Sequence, residues 1–474
     1  MQDNYRIKID LEFKDFIDLI DATASKKLTN AHQILSMDTR SLKKGDIFLA
    51  LKGKKSDGHD FIKEASQKGA SAVIVSKENI QNLNKKSLIY VDNTLSALEA
   101  VAKFQRRNSK ASFIAITGSI GKTSTKVILN SALSCYGKSY MSPESFNNKW
   151  GVPISLSKAP KDMDYAIIEV GMNNTSEIEP LAQLVSPEIA IITNIGEAHI
   201  GNMGSIKNIA IEKSKIMNGM TAGGHLIMNL SSRYANLLHQ KALDKKLKVI
   251  TFGKNQRSDI YIRDYSLRKG RGTLSISVFG ELCQINSDIK NVHLFDNIMP
   301  VLGVIKVLGY NLKDCLKNIG ATPQVKRRWD VLDFKIKKGK IQVIDDTYNA
   351  SPTSMLMAIE SLSEYSGKEI NRRIAILGDM LELGKYSRNY HSKLIKKINN
   401  SNLDKVYLFG NMMTSYAGNI SGRTEVVCSS SIIELFDNVI SDTRNGDLFL
   451  VKGGNELGLN KIIKDFINYF SLNL

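Results

Sequence analysis

A glycine-rich loop is the segment of this chain whose residue types and spacing most clearly suit chemistry. An apolar run, Phe113–Thr117, leads directly into Gly118-Ser119-Ile120-Gly121-Lys122-Thr123-Ser124, a compact GxxGKT form of the Walker loop. In such a loop, backbone N–H groups and the start of the next helix face phosphate oxygens. The lysine can reach the β- and γ-phosphates, and Thr123 can ligate Mg²⁺. The loop alone does not distinguish an NTPase, a kinase, a ligase or a transporter subunit.

Three residues further along the chain could belong to a metal site. Glu169 closes the apolar run Tyr165–Val170, and His199 follows the run Ile189–Thr193. A carboxylate at the carboxyl end of a strand suits Mg²⁺, and a histidine at the same edge could complete a second metal site. Lys213 follows on a predicted helix. Taken alone, a single histidine such as His199 is more often structural, and Lys213 is compatible with a solvated charge.

The elements that must position these residues fall into three predicted α/β domains. Residues 1–108 form a small α/β domain with strands at Asp46–Leu51 and Ser71–Val75 and a helix at Phe61–Lys68. Residues 109–320 contain the runs FIAIT, YAIIEV, IAIIT and HLIMN, which predict a central, doubly wound sheet of the P-loop type. Residues 321–474 contain IQVID, RIAILG, KVYLFG and DLFLVKG, which predict a C-terminal Rossmann-like α/β domain. Ligands should gather at the carboxyl ends of the strands.

The composition excludes several classes of protein. Of the 474 residues, 42% are hydrophobic and 24% are charged, as in globular domains. Four widely spaced cysteines without a CxxC pair, and histidines without an HxxxH pair, argue against a disulfide framework or a zinc site and favour the cytoplasm. The first residues lack a continuous apolar run, and the most apolar stretch, Ile298–Gly309, is short, so we expect neither a signal peptide nor a membrane span.

The net charge of +18 leaves two interpretations open. Nucleic-acid binding is one, but the lysines are scattered and there is no RGG tract or aromatic RNA-binding signature. We favour the other, in which the positive field suits an anionic substrate with phosphates and carboxylates. A P-loop nucleotide switch or nucleic-acid-binding protein stays the alternative from a different functional class.

Taken together, the motifs resemble those of the Mur ligase family. The predicted central domain contains four segments in the same order as in the family: TGSIGKTSTK, EVGMNNTSEI, ITNIGEAH and IEKSKI. It continues with DDTYNASPTSM from Asp345, LGDMLELG from Leu377, His391 and DLFLVKGG from Asp447. The N-terminal part carries DTR at Asp38–Arg40, then GDIFLAL and DGHDF. The resemblance covers essentially the whole chain.

Two stretches resemble one branch of that family, the branch that adds D-alanyl-D-alanine. FNNKWGVP, at Phe146–Pro153, resembles its NNxxGVP signature, and DDTYNASPTSM resembles its DDSYNANPxSM. The chain lacks the DNPR motif of the diaminopimelate-adding branch. Folylpolyglutamate synthases share the nucleotide loop but should lack both stretches.

The resemblance implies a role for each matching residue. Those implied to bind ATP are Gly118, Ser119, Gly121, Lys122, Thr123, Ser124, Asn297 (adenine), Arg328 (phosphates) and Asp346 (ribose). Those implied to hold Mg²⁺, with two ions expected, are Thr123, Glu169, His199 and Lys213. Lys122, His199 and Lys213 are the implied catalytic residues, with Lys213 as a carbamate. Those implied to meet the substrates are Asp38, Arg40, Asn147, Asn148, Tyr348 and Asn349.

Several positions depart from the family's pattern. Arg327 replaces the usual glycine before Arg328, and Ser176 stands where glycine often precedes Glu177. Three further positions also differ: Leu294 stands where asparagine is frequent, Lys215 where an acid is frequent, and Gly454 where serine is frequent. None of these departures removes a proposed metal or phosphate ligand.

The resemblance implies an ATP-dependent ligase of peptidoglycan biosynthesis. It would join D-alanyl-D-alanine to a UDP-N-acetylmuramoyl-tripeptide through an acyl phosphate, releasing ADP and phosphate. We expect a cytoplasmic monomer that binds no nucleic acid. The alternatives within the class are another amino-acid-adding Mur ligase and a folylpolyglutamate-type ligase.

Overall fold

The computed structural model of the chain describes residues 5–24, 34–53, 56–79, 87–268, 271–287, 295–337, 339–365, 367 and 369–472. They form three successive α/β units, each built on its own sheet, which confirms the predicted three-domain class. The boundaries proposed between the domains stay a prediction. Within the described ranges, no helix combines the length and apolar character that crossing a membrane requires.

The N-terminal sheet has six strands in the order β1-β3-β4-β5-β6-β2. Strands β3 to β6 run parallel, and β1 and β2 pair antiparallel at the two edges. The predicted helix near residue 61 is a 3₁₀ turn, Gly58–Phe61, followed by a short α-helix. The strands are β1 (Arg6–Lys8), β2 (Thr23–Ala24), β3 (Ile34–Ser36), β4 (Ile47–Leu49), β5 (Ala72–Ser76) and β6 (Leu88–Val91), and the helices are α1 (Phe13–Leu19), α2 (Ile62–Gln67) and α3 (Thr94–Arg107).

The central sheet has nine strands in the order β15-β14-β13-β12-β11-β10-β7-β9-β8. The strands are β7 (Ser112–Thr117), β8 (Ser139–Met141), β9 (Tyr165–Glu169), β10 (Ile189–Ile192), β11 (His225–Asn229), β12 (Lys248–Gly253), β13 (Ile260–Arg268), β14 (Arg271–Val278) and β15 (Glu281–Ser287). The helices are α4 (Lys122–Leu133), α5 (Gly151–Ser157), α6 (Ile178–Val185), α7 (Ile200–Met203), α8 (Ile206–Ser214), α9 (Ala235–Asp244), α10 (Ile298–Val307) and α11 (Leu312–Gly320).

Strand β7 shows why the predicted strands of this sheet are continuous apolar runs. Successive side chains of a strand point to opposite faces. Phe113 and Ala115 pack in the core on one face, and Ile114 and Ile116 pack with α4, α10 and α11 on the other. Both faces are therefore covered, as in other parallel sheets with helices on both sides.

The antiparallel end of the central sheet was not predicted. Strands β13, β14 and β15 form a meander whose first strand pairs parallel with β12. Buried and exposed residues alternate along β15, so one face of the meander is open to solvent. Its side chains therefore alternate in polarity and do not form the apolar run that marks the other strands.

The C-terminal sheet has six strands in the order β16-β17-β21-β18-β19-β20, all parallel except the β16–β17 pair. The strands are β16 (Asp330–Ile336), β17 (Gly339–Asp345), β18 (Arg372–Gly378), β19 (Lys405–Phe409), β20 (Glu425–Ser429) and β21 (Asp447–Lys452). The helices are α12 (Pro352–Glu364), α13 (Ser387–Asn399), α14 (Asn411–Ser415), α15 (Ile432–Asp442) and α16 (Asn460–Leu472). Strands β17 and β21 end at the loops that face the central domain.

Candidate active site

One cavity of about 310 Å³ lies between the central and C-terminal sheets, at the carboxyl ends of their strands. One wall is formed by the loops after β7, β9 and β10, the end of β11 and the start of α10. The other is formed by the segment before β16, the loop after β17, α12 and the end of β21. Twelve of the predicted site residues line it: Ser119, Gly121, Lys122, Ser124, Asn147, Glu169, His199, Asn297, Arg328, Asp346, Tyr348 and Asn349.

The glycine-rich loop joins β7 to α4 as predicted, and two of its glycines are required by geometry. Gly121 has φ 88° and a side chain there would meet Asn297 Oδ1 at 2.2 Å. At Gly118, with φ 150°, a Cβ would lie 1.9 Å from Thr193 Oγ1. The backbone therefore takes a path that only glycine permits at close approach.

Lys122 begins α4 and folds back over the loop. Its Nζ donates to the carbonyl of Gly118 at 2.8 Å. Burial lowers the pKa of Lys122, against the attraction of Glu169, and the cation of Arg328 lowers it further. The amine thus sits where a negatively charged phosphate would strongly favour its charged form.

Thr123 and Glu169 bring two oxygen donors together at the start of α4. The Thr123 hydroxyl donates to Glu169 Oε2 at 2.9 Å. Burial acts to raise the pKa of Glu169, but Lys126, Lys122 and Arg328 outweigh it, so the pKa is lowered and the carboxylate stays charged. The described residues contain no cluster of three His, Cys, Asp or Glu side chains that could hold a metal. One carboxylate beside one hydroxyl, completed by phosphate oxygens, nevertheless fits the ligands that Mg²⁺ takes in nucleotide sites.

His199 and Lys213 lie on the segment after β10. His199 lines the cavity in a left-handed backbone conformation, φ 64°, which is uncommon outside glycine. Its Nδ1 lies 2.5 Å from Oε2 of Glu382 in the C-terminal domain. Lys213, on α8, is 1% exposed and does not line the cavity directly. Burial holds the pKa of Lys213 well below its usual range, and Lys122 lowers it further.

The C-terminal wall includes the segment before β16, which carries Arg328, and the loop after β17. Arg328 lies with its guanidinium 4.0 Å from the ring centroid of Tyr348, and its Nη2 donates to Thr123 Oγ1 at 2.9 Å. Asp346 accepts from Lys452 Nζ at 2.7 Å, and the same amine donates to the carbonyl of Asn349 at 2.9 Å. Lys452 therefore holds both ends of the Asp346–Asn349 turn.

The C-terminal domain also contacts the segment Glu197–Gly204. Thr353 donates to the Glu197 carboxylate, Gly201 N donates to Glu382 O at 2.9 Å, and the Tyr386 hydroxyl donates to Gly204 O. These contacts join the domains beside His199.

The structure explains two departures from the family's pattern. Arg327 has φ 64° and Ser176 has φ 66°, so both occupy the left-handed region that glycine favours. Arg327 compensates with hydrogen bonds from Nη2 to Thr347 O and Asn455 Oδ1, both 2.7 Å.

The structure also explains the departure at Gly454, whereas the departure at Leu294 is not described. A side chain at Gly454 would meet Leu381 Cγ at 2.6 Å, so Leu381 fills the space that a serine would take. Leu294 lies outside the described residues.

Some predicted substrate residues lie away from the cavity. Asp38 accepts from Arg40 Nη2 at 2.6 Å on the N-terminal domain, where the Arg40 side chain is 82% exposed. Asn148 Oδ1 accepts from the backbone N–H groups of Trp150 and Gly151 at the start of α5. This local contact engages its amide oxygen, and contact with a substrate stays a prediction for all three.

Among the residues that the sequence analysis missed are three charged side chains in or beside the cavity. They are Lys126 on α4, Lys452 at the end of β21, and Asp296, whose pKa burial raises. A lysine on the packed face of a helix, or at the end of a fully buried strand, was the available signal for the first two. Asp296 precedes Asn297 in the sequence, but nothing local distinguishes it from a surface acid.

Comparison with known proteins gives matches along most of the chain. Family models match the Mur ligase family, catalytic domain, at residues 32–108, the Mur ligase middle domain at residues 116–305, and the Mur ligase, glutamate ligase domain, at residues 327–455. A UDP-N-acetylmuramoyl-tripeptide--D-alanyl-D-alanine ligase of Rickettsia prowazekii is 33% identical over 430 residues, covering 90% of this chain and 94% of the relative. The Bacillus subtilis ligase of the same name is 30% identical, covering 91% and 93%.

Solved structures show the same fold. MurF from Acinetobacter baumannii superposes with a TM-score of 0.84 at 24% identity, covering 98% of this chain and 100% of that one. MurF ligase from Thermotoga maritima, in complex with ADP, gives 0.79 at 25% identity, covering 95% and 100%. With the domain models in their order and a 33% identical relative matched over nearly its full length, the chain belongs to the Mur ligase family.

Proposed function

We propose that this ATP-dependent ligase joins D-alanyl-D-alanine to UDP-N-acetylmuramoyl-tripeptide, giving the UDP-muramoyl-pentapeptide precursor of peptidoglycan. The observation that carries the proposal is the shared cavity, in which a phosphate-binding loop faces the Asp346–Asn349 turn of another domain. The relatives with this reaction in their names support it over nine-tenths of the chain.

The nucleotide would occupy the central wall of the cavity. The N–H groups of the loop and the start of α4 suit its phosphates. Lys122 and Arg328 supply positive charge from the two domains, and Asn297 and Asp346 would meet the base and the ribose. Charge on the transferring phosphoryl group would be stabilised by these preorganised cations, the largest expected contribution to catalysis.

Magnesium would be held by Thr123 and Glu169, with His199 and a carboxylated Lys213 serving a second ion. When bound, Mg²⁺ neutralises charge on the phosphates during transfer. The buried Lys213 suits carboxylation, because its lowered pKa keeps a neutral, nucleophilic amine available.

The chemistry would proceed in two steps. The terminal carboxylate of the tripeptide attacks the γ-phosphorus of ATP, forming an acyl phosphate and releasing ADP. The neutral amine of D-alanyl-D-alanine then attacks the acyl carbon, forming the amide as the acyl–oxygen bond breaks, and one amine proton leaves with the expelled phosphate. The cavity lies between two domains, which would keep water from the acyl phosphate.

Each substrate would meet residues from a different wall. Asn147, whose Nδ2 donates to Glu169 Oε1 at 2.7 Å, would face the muramoyl peptide beside the metal ligand, with Asn148 next to it. Asp38 and Arg40 would contact the uridine nucleotide on the N-terminal domain. Tyr348 and Asn349 would face the incoming dipeptide. We further propose that the enzyme works as a monomer in the cytoplasm.

The test is ADP release by the purified protein. Release should require ATP, Mg²⁺, UDP-N-acetylmuramoyl-tripeptide and D-alanyl-D-alanine together, and mass spectrometry should show the pentapeptide. Omitting each component is the control. Turnover with a single amino acid in place of the dipeptide, or with a shorter muramoyl peptide, would assign a different Mur ligase reaction. ATP hydrolysis independent of both substrates would favour a nucleotide switch.

A further inference from the structure

Lys126 is a buried lysine on α4, one helical turn beyond Lys122, and the mechanism above does not use it. It is 1% exposed. Its Nζ donates to the carbonyl of Ser142 at 2.8 Å and to that of Glu144, and it lies 3.4 Å from Glu169 Oε2. One ammonium therefore joins the phosphate-loop helix, the candidate metal ligand and the loop that follows β8.

The segment that Lys126 holds, residues 142–147, connects several parts of the molecule. Glu144 adopts φ 42°, a strained conformation for a residue with a side chain. Ser145 Oγ lies 3.3 Å from Thr123 Oγ1, and Asn147 donates to Glu169. The Phe146 ring lies 5.4 Å from the ring of Tyr5, centroid to centroid, in the N-terminal domain.

Burying the charge of a lysine at this position costs free energy of folding. Neighbouring residues of α4, Ile128 and Leu129, are buried in an apolar cluster. Removing an ammonium from water costs several kcal/mol, which hydrogen bonds and a nearby carboxylate must offset. An apolar side chain would avoid that desolvation cost but would remove the donor that serves the carbonyls of Ser142 and Glu144 and the Glu169 carboxylate. The lysine is therefore tied to the position of this loop and of the candidate metal ligand.

We propose that Lys126 is a positioning residue that fixes segment 142–147, and with it Asn147, in register with Glu169 for the muramoyl peptide. This inference rests on the proposed function for the identity of the substrate. The glycine-rich loop has its own anchors, since Ser119 N donates to Asn194 O at 2.9 Å and Ser119 Oγ accepts from Gly196 N at 2.9 Å. Loss of Lys126 should therefore affect the peptide substrate more than the nucleotide.

The chain contains a built-in reporter of this segment. It has two tryptophans, and Trp150 stands three residues after Asn147. With Trp329→Phe as the background, Trp150 is the only tryptophan, and acrylamide quenching of the tryptophan fluorescence reports how well the segment is held. This measurement needs neither substrate nor turnover.

The experiment compares Lys126→Met and Lys126→Gln, with Lys103→Met, an exposed lysine on α3, as the matched control. In the Trp329→Phe background, quenching of Trp150 should increase for Lys126→Met, increase less for Lys126→Gln, which keeps an N–H donor, and stay unchanged for Lys103→Met. In the otherwise native chain, kcat/KM for the muramoyl peptide should fall about 10- to 100-fold in Lys126→Met, the loss of activity typical of outer-shell residues that orient a site. The Kd for ATP should change much less.

Each outcome decides the question. Unchanged quenching and an unchanged KM for the muramoyl peptide in a folded Lys126→Met protein would overturn the proposal, as would equal losses for ATP and peptide. If neither variant folds, Lys126 serves stability and the positioning role is wrong. If the native chain lacks ligase turnover, the proposed function fails, while the quenching comparison still reports whether Lys126 holds the segment.

Discussion

The guanidinium of Arg328, in the C-terminal domain, donates a hydrogen bond of 2.9 Å to the hydroxyl of Thr123, in the nucleotide loop of the central domain. The same hydroxyl donates to Glu169, so one side chain joins the domain boundary to the candidate metal ligand. The arrangement brings a cation from one domain to the phosphate-binding loop of the other.

Replacing Arg328 should therefore weaken catalysis more than folding. We expect Arg328→Ala to lower kcat/KM for ATP by about 10- to 100-fold, the range of a lost hydrogen bond to a charged group. Arg327→Gly is the matched control, because its hydrogen bonds stay within the C-terminal domain and glycine relieves its left-handed backbone. Steady-state kinetics and thermal melts of both variants check this, and a larger loss in Arg327→Gly would contradict it.

Removing the loop lysine should stop turnover with the fold intact. Lys122→Ala should reduce kcat by at least about 10²-fold, since it removes a preorganised cation from the transferring phosphoryl group. Coupled ADP-release kinetics measure the loss, and circular dichroism checks the fold, with exposed Lys110→Ala as control. A folded Lys122→Ala enzyme with most of its turnover would show that the assigned role is wrong.

Lys213 should act as a carboxylated amine. Lys213→Ala should lose activity, and acetate or another short carboxylic acid in the buffer should restore part of it. Because burial lowers the pKa of Lys213, the native enzyme should keep the neutral amine well below the usual titration range of lysine. Its activity should then fall as the pH drops through that lowered pKa. Near-normal rates in Lys213→Ala, or a crystal structure of the active enzyme that shows a plain amine at Lys213 with magnesium bound, would exclude this role.

Variants of Asn349 and Lys452 should distinguish a residue that binds the dipeptide from a residue that positions the Asp346–Asn349 turn. Asn349→Ala should raise KM for D-alanyl-D-alanine more than KM for ATP. Lys452→Met should raise both, because Lys452 holds Asp346 as well as the Asn349 carbonyl. Initial rates with each substrate varied in turn give the comparison. Equal effects of Asn349→Ala on both substrates would point to a structural role for that residue.

Asp442 should contribute acid-sensitive stability away from the cavity. Burial acts to raise its pKa, but Lys405 and Arg372 outweigh this and lower the pKa to about 2. A carboxylate with a lowered folded pKa stabilises the fold above its unfolded pKa of about 3.9 and loses that contribution as the pH falls through the folded value. Asp442→Asn should therefore cost about 1–2 kcal/mol at pH 7 after solvent screening. Urea melts at pH 7 and pH 2 check this, and an equal cost at both would contradict it.

The sequence predicted those parts of the site whose signals are local. The strand, glycine pair and helix start around Lys122 lie within about ten residues, and the position of Glu169 follows from strand ends meeting at one sheet edge. Arg328 was assigned through the resemblance despite Arg327, and the left-handed backbone at Arg327 explains why glycine is usual there.

What sequence reasoning missed depends on tertiary contacts. The partners of Lys126 are carbonyl groups 16 and 18 residues away, whose approach depends on the turn at Glu144. The hydrogen bonds that Asn148 Oδ1 accepts from the backbone of Trp150 and Gly151 required knowing where α5 begins. The β13–β15 meander was not predicted because alternating polarity is a weaker signal for a strand than a continuous apolar run.

The contacts between the C-terminal domain and segment Glu197–Gly204 have a thermodynamic consequence. A ligand that binds more tightly when the central and C-terminal domains are in contact also favours the conformation in which these contacts hold the segment that carries His199. By linkage, if one such ligand raises the affinity of a second by some factor, typically about 5- to 150-fold, the second raises the affinity of the first by the same factor. Nucleotide, metal and peptide should therefore bind synergistically, and the degree of synergy would be set in part by the Thr353–Glu197 and Gly201–Glu382 hydrogen bonds, which touch none of them.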